Sequence, residues 1–209
     1  TFVRVWPDAK YFDSPTIPVA DLQRLLRSKA VLLPGVSITL VNEKNGQSLN
    51  WCYSDGLRGY LEEELAGDEL LIPMFEGKQF AAADDESFAE GEGCEWLVAW
   101  TIEGAVARES YVNLIPTLSG GTHEAGLREG LFNALKTFIE LHNLLPKGVR
   151  LLAEDLFARA SFVLSVRMLD PQFQGQTKER LNSRDAVRLV SNYVKSAFEL
   201  WLNSNVDWG

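Results

Sequence analysis

Apolar side chains recur at helical spacing in three separate stretches of this chain, with runs of β-branched and aromatic residues between them, and that succession leaves few folds open. The longest stretch opens after Gly120-Gly121. There Thr122 is expected to cap a helix that lines up Leu127, Leu131, Ala134, Leu135 and Phe138 on one side and Arg128, Glu129, Lys136 and Glu140 on the other. A second helix is expected near the end of the sequence, capped by Ser183, with Asp185 in its first turn and Val187, Val190, Val194, Ala197, Phe198 and Trp201 on its buried side. A shorter one fits between Pro18 and Pro34-Gly35, striped by Leu22, Leu25 and Leu26. Strands are expected at Ser37–Val41, Leu49–Tyr53, Trp96–Ile102, Tyr111–Ile115 and Phe162–Met168. The first two are joined through Asn42-Glu43-Lys44-Asn45-Gly46, whose Asn-Gly pair suits a hairpin turn. Helices that follow and interrupt strands predict an α+β domain with its helices on one face of a sheet.

With 209 residues, 46% of them apolar, the chain can bury a core without disulfides or metals. Its two cysteines, Cys52 and Cys94, sit in apolar, aromatic-flanked runs and read as buried free thiols of a reducing compartment, a single disulfide being the alternative. No stretch reaches the roughly 20 apolar residues of a membrane span, and no signal peptide opens the sequence, so the expectation is a cytoplasmic protein without membrane contact. A formal charge of -9 argues against a free-standing nucleic-acid binder, because phosphate neutralisation dominates such affinity. Residues Thr1 to Trp6 alternate like a strand and lack an initiator methionine, as expected of a fragment of a longer chain. Acids crowd between Glu62 and Glu95, a pattern expected of a solvated helix end and a surface loop.

Chemistry concentrates in Asp170-Pro171-Gln172-Phe173-Gln174-Gly175-Gln176-Thr177-Lys178. An Asp-Pro turn leads into a polar loop that offers a glutamine, a threonine and a lysine within three positions. Lys178 supplies a flexible point charge for a phosphate oxygen, Gln176 can donate to a second oxygen, and backbone amides near Gly175 can complete an anion pocket. The plainer reading is an ordinary polar connector. Ser119-Gly120-Gly121-Thr122-His123-Glu124 lacks the lysine of a phosphate loop and the spacing of a dinucleotide fingerprint, and reads as a tight strand-to-helix turn. The chain has no Gly-x-Ser-x-Gly elbow, no motif-placed partner for His123 or His142, and no Cys/His cluster with zinc spacing. Neither autonomous catalysis nor a metal is expected.

Three segments taken together carry a resemblance: Trp6-Pro7-Asp8; Tyr111-Val112-Asn113 followed by Gly120-Gly121-Thr122-His123; and Asp170-Pro171-Gln172-Phe173 with Gln176-Thr177-Lys178. In this order they resemble the second domain of type IIA topoisomerase ATPase subunits, along the whole chain. Residues 51–57, 109–117 and 144–149 look like the topoisomerase IV branch of that family rather than the gyrase branch.

The resemblance implies a two-layer α/β fold: a mixed β-sheet with long helices on one face, shared with a ribosomal protein and containing a left-handed βαβ crossover. It makes residues 1–12 a linker or edge strand continuing from an N-terminal ATPase domain, and residues 13–209 the transducer domain. By the same likeness, Gln176 and Lys178 contact the ATP γ-phosphate held in the neighbouring domain, and Arg128 is a candidate for the cavity that holds DNA. ATP and Mg2+ would serve the full-length protein, with neither expected on the fragment. The implied partners are the ATPase domain of the same chain, the A subunit of topoisomerase IV, double-stranded DNA, and a second copy of the ATPase-bearing chain when ATP binds.

The resulting expectation is a relay in an ATP-hydrolysing isomerase that decatenates DNA and relaxes supercoils, inactive when isolated. The other readings are a gyrase-type transducer, a small-molecule kinase of the same fold, which would need its own glycine-rich phosphate loop, and a passive interaction module.

Overall fold

The computed structural model describes residues 1–205, and the chain divides into two compact units, Thr1–Gly56 and Leu57–Gly209. In the first unit, helix α1 (Val19–Leu32) begins directly after Pro18, whose fixed φ suits a helix entrance. It buries Ser28, Ala30 and Val31, whereas Leu25 of the expected stripe is largely exposed. Strands β1 (Ile38–Asn42) and β2 (Gln47–Trp51) form the expected antiparallel hairpin, with Gly46 at φ 73° in its turn. Residues 1–7 form no strand, and Phe2, Val3, Val5 and Trp6 are exposed. Alternation alone cannot make a strand without neighbouring backbone to bond to. Both cysteines are free; Cys94 is buried, which pushes its thiol pKa up, but Cys52 is exposed, contrary to expectation.

The second unit is built on a five-stranded mixed sheet in the order β3 (Phe75–Phe80), β4 (Gly93–Trp100), β7 (Ala160–Arg167), β5 (Arg108–Val112), β6 (Ile115–Pro116). All neighbours are antiparallel except β5 and β7, which run parallel. A parallel pair requires a long connection, supplied here by α3 (Thr122–His142) and the short α4 (Ala153–Phe157).

One sheet face presents Trp96, Val98 and Trp100 of β4 with Phe162, Leu164 and Val166 of β7. These pack against Leu127, Leu131 and Phe138 of α3 and Leu189, Val194 and Phe198 of α5 (Arg184–Ser204). The long helices therefore lie on one face, as expected. On the other face Leu97 and Val163 are buried as well, and α2 (Leu57–Glu64) lies against β4 and β7, with Tyr60 donating to Glu109 Oε1 at 2.5 Å.

Three local differences from the sequence reading have physical causes. The strand expected at Tyr111–Ile115 is two strands, because Asn113 (φ 49°) and Leu114 (φ 65°) form a two-residue turn between β5 and β6. The Asn113 side chain secures that turn by donating to Met168 O (2.8 Å) and accepting from Met168 N (3.0 Å). Helix α3 is preceded by Gly121 as its cap residue, and Thr122 lies inside the first turn. Ser183 stands at the cap position of α5, but its hydroxyl accepts from Gln172 N at 2.7 Å rather than from the helix.

Helices α3 and α5 meet along a glycine seam. A Cβ on Gly126 would stand 2.7 Å from Val187 O, and one on Gly130 would stand 2.9 Å from Ser191 O. The contact positions advance together along both helices, so the pair runs parallel, with both N-termini at the same end of the sheet. Only glycine permits so close an approach.

Candidate phosphate-sensing loop

Two short strands, β8 (Phe173–Gln174) and β9 (Arg180–Leu181), pair antiparallel and carry the loop that the sequence singled out. Gln176, Thr177 and Lys178 lie on this loop and are exposed. Gly175 turns the chain at φ 78°, and Lys178 itself sits in the left-handed region at φ 57°, which for a residue with a Cβ costs about 1 kcal/mol. Among the described residues the Lys178 ammonium forms no ion pair. It lies over the Phe173 ring, 5.8 Å from Nζ to the ring centroid. The loop thus presents an exposed cation and, two positions earlier, an amide side chain, residue types suited to a phosphoryl group.

The stem of this loop is fastened where α3 begins. Ser119 N donates to Glu179 O at 2.9 Å, and Leu181 N donates to Gly120 O at 3.1 Å. A parallel bridge joins Gly121 to Leu181, so close that a Cβ on Gly121 would stand 2.3 Å from Leu181 O. The double glycine is needed for this backbone approach as well as for the turn. On the far side of the hairpin Asn182 N donates to Gln172 O at 2.7 Å.

Beneath the turn lies a polar cluster that the sequence reading did not find. Ser110 Oγ donates to Glu124 Oε1 at 2.5 Å and lies 2.7 Å from Thr117 Oγ1. The Thr117 hydroxyl donates to Ser110 O (2.8 Å) and lies 2.9 Å from His123 Nε2. With the threonine proton so used, His123 must donate from Nε2, which leaves Nδ1 as a buried acceptor with no partner. His123 is fully buried, and burial lowers its pKa from 6.5 to about 4, so the ring is neutral. The signal available in the sequence was Glu124 in the first turn of α3, which reads most simply as a complement to the helix dipole. Its partner Ser110 is fourteen residues earlier, on a strand whose register only the folded sheet reveals.

Arg128 lies on α3, well away in sequence from the loop, and is already engaged. Its guanidinium donates to Glu154 and covers the Phe157 ring at 4.7 Å, tying α3 to α4. The structure therefore brings Gln176 and Lys178 together on one loop and places Arg128 in a separate contact.

The loop is fastened at its stem and carries an exposed cation at its tip. The mixed sheet with paired long helices that supports it is the fold of the B subunits of type IIA topoisomerases. The family model described as DNA gyrase B matches residues 56–209, and the chain belongs to that family. Within it, the chain is similar to the B subunit of DNA topoisomerase 4 from Salmonella typhimurium, with 50% identity over 207 residues that make up 99% of this chain and 32% of the relative. It is equally similar to the protein of the same name from Escherichia coli, 50% identical over 208 residues, again 99% of this chain and 32% of that one. The chain thus spans about a third of the length of these relatives.

Among solved structures, the topoisomerase IV ATP-binding domain of Francisella tularensis in complex with a small-molecule inhibitor matches with a TM-score of 0.73 and 35% identity, over 97% of this chain and 53% of that one. The 43K ATPase domain of Thermus thermophilus gyrase B matches with a TM-score of 0.74 at 22% identity, over 96% of this chain and 52% of that one, and shows the fold alone. No helix among the described residues is long and apolar enough to cross a membrane.

Proposed function

We propose that this chain is the transducer of a topoisomerase IV B-type protein, coupling ATP binding and hydrolysis in an N-terminal ATPase domain to the passage of one DNA duplex through another. In this reading residues 1–12 lead in from the ATPase domain and residues 13–209 form the relay. The observation that carries the reading is the exposed Lys178, without an ion pair among the described residues and two positions from Gln176, on a loop whose stem is fastened to the start of α3. ATP and Mg2+ belong to the full-length protein. Lys178 and Gln176 supply donors suited to a terminal phosphate, and that contact is the part of the nucleotide chemistry given to this chain. The DNA-cleaving A-type partner, DNA and a second B-type chain complete the assembly. Loss of the γ-phosphate releases Lys178 and frees the two domains to rotate against each other.

The test is Lys178→Ala in the full-length protein. ATP turnover and strand passage are expected to fall at least about tenfold, equivalent to about 1.4 kcal/mol of lost charge stabilisation. Unchanged turnover would remove the proposed sensor. For Arg128 to serve as a DNA contact it must exchange Glu154 for a phosphate. Arg128→Gln is then expected to lower the salt dependence of DNA binding by the assembled enzyme by about one phosphate contact, and an unaltered salt slope rejects that role.

A further inference from the structure

Between the loop and the sheet runs a series of short polar and backbone contacts, with one step of close packing at Gly120. Lys178 is followed by Glu179, whose carbonyl is held by Ser119 N; Leu181 N is held by Gly120 O. Gly120 rests on Glu124, since a Cβ at Gly120 would stand 2.6 Å from the Glu124 carboxylate. Glu124 accepts from Ser110 on β5, and Ser110 meets Thr117, whose backbone N–H donates to Ser110 O and whose carbonyl accepts from Gly120 N at 2.8 Å. Thr117 is 3% exposed and His123 0%, so this cluster sits in a low-dielectric interior where its hydrogen bonds are strong and their loss is costly. Gly120 and Gly121 have no side chains to set the turn themselves, so its height above the sheet depends on what lies beneath.

We propose that Thr117, together with Ser110, His123 and Glu124, forms a positioning network that sets where the Gln176–Lys178 loop stands, and so acts on ATP turnover through Lys178 without touching nucleotide. The proposal rests on the sensing role given to Lys178 above. A displacement of about 1 Å in a charged contact of this kind is enough to lose up to 100-fold in rate, so a buried hydroxyl one layer away has leverage on turnover.

The experiment uses the full-length protein assembled with its DNA-cleaving partner and measures kcat and KM for ATP separately. Thr117→Val keeps the side-chain shape and deletes the hydroxyl; it is expected to lower kcat by about fivefold or more while KM for ATP stays within about twofold. Thr117→Ser, which retains the hydroxyl, is expected to stay within about twofold of the unaltered enzyme in both constants. In the Lys178→Ala background, Thr117→Val is expected to change kcat no further, because the residue through which it acts is gone. If Thr117→Val fails to fold, Ser110→Ala takes its place with the same readings in the two backgrounds. Equal losses in both backgrounds, no loss in either, or a loss that serine does not rescue would overturn the positioning role. If Lys178→Ala alone leaves kcat unchanged, the sensing role itself falls, which separates that failure from failure of the network.

Discussion

Phe198→Ala is expected to cost about 3–5 kcal/mol of folding stability, the range for emptying a buried aromatic site. Phe198 is 1% exposed and lies at the centre of an aromatic group: Phe75 at 4.7 Å, Trp201 at 5.6 Å and Trp100 at 5.9 Å between ring centroids. Each neighbour comes from a different part of the unit or a different turn of α5, so the site cannot collapse by moving one element. Thermal unfolding should show a midpoint lower by roughly 10 °C, and Phe198→Leu should recover most of the loss. A change below about 1 kcal/mol in the alanine variant would mean that α5 does not seat on the sheet as described.

The second large effect is on acid stability. The unfolded His123 imidazole titrates near 6.5 and the folded one at about 4, so between those values the unfolded chain binds the extra proton. Stability from this group is complete above pH 6.5 and falls as the pH drops towards 4, by about 3 kcal/mol in total. Carboxylates titrate over part of the same range, so the measurement is a difference. Urea unfolding at about pH 7 and about pH 4.5 is compared between the unaltered chain and His123→Gln, in which the acid-dependent loss is expected to shrink by most of that amount. Identical pH slopes for the two would refute the burial argument.

The residues that were easy to read in the sequence are those whose neighbours are close in sequence. Leu127, Leu131, Ala134 and Phe138 marked α3 by their spacing alone, and Gly46 marked the β1–β2 turn. Strand β3 was hidden because an edge strand is polar: Lys78 and Gln79 face water, and Gly77 is present only to clear the Trp96 ring, where a Cβ would stand 2.4 Å from Cζ2. Helix α2 was hidden among acids that read as solvated, although Leu57, Tyr60 and Leu61 cover the second sheet face. The buried stripe of α5 was only partly legible. Val190, Val194 and Phe198 were read correctly, but Leu189 and Tyr193 were missed because Val187 drew the stripe to one side.

The site divides in the same way. The shared placement of Lys178 and Gln176 on one exposed polar loop was legible, because both stand within three residues of Gly175. Thr117 and Ser110 were not, since a buried hydroxyl pair looks like any other strand serine and threonine until the register brings them together. The use of Gly121 was half legible: the turn could be read, but the approach of Leu181 could not.

The parallel course of α3 and α5 has a mechanical side. Each helix has 21 residues, so at 1.5 Å per residue each is about 30 Å long, and both start at the loop that carries Lys178. The backbone-to-glycine fit at Gly126 and Gly130 leaves no room for one rod to slip along the other. A pull on the hairpin is therefore expected to move a double shaft as one piece, a shift of about an ångström where the helices start arriving nearly undiminished about 30 Å away.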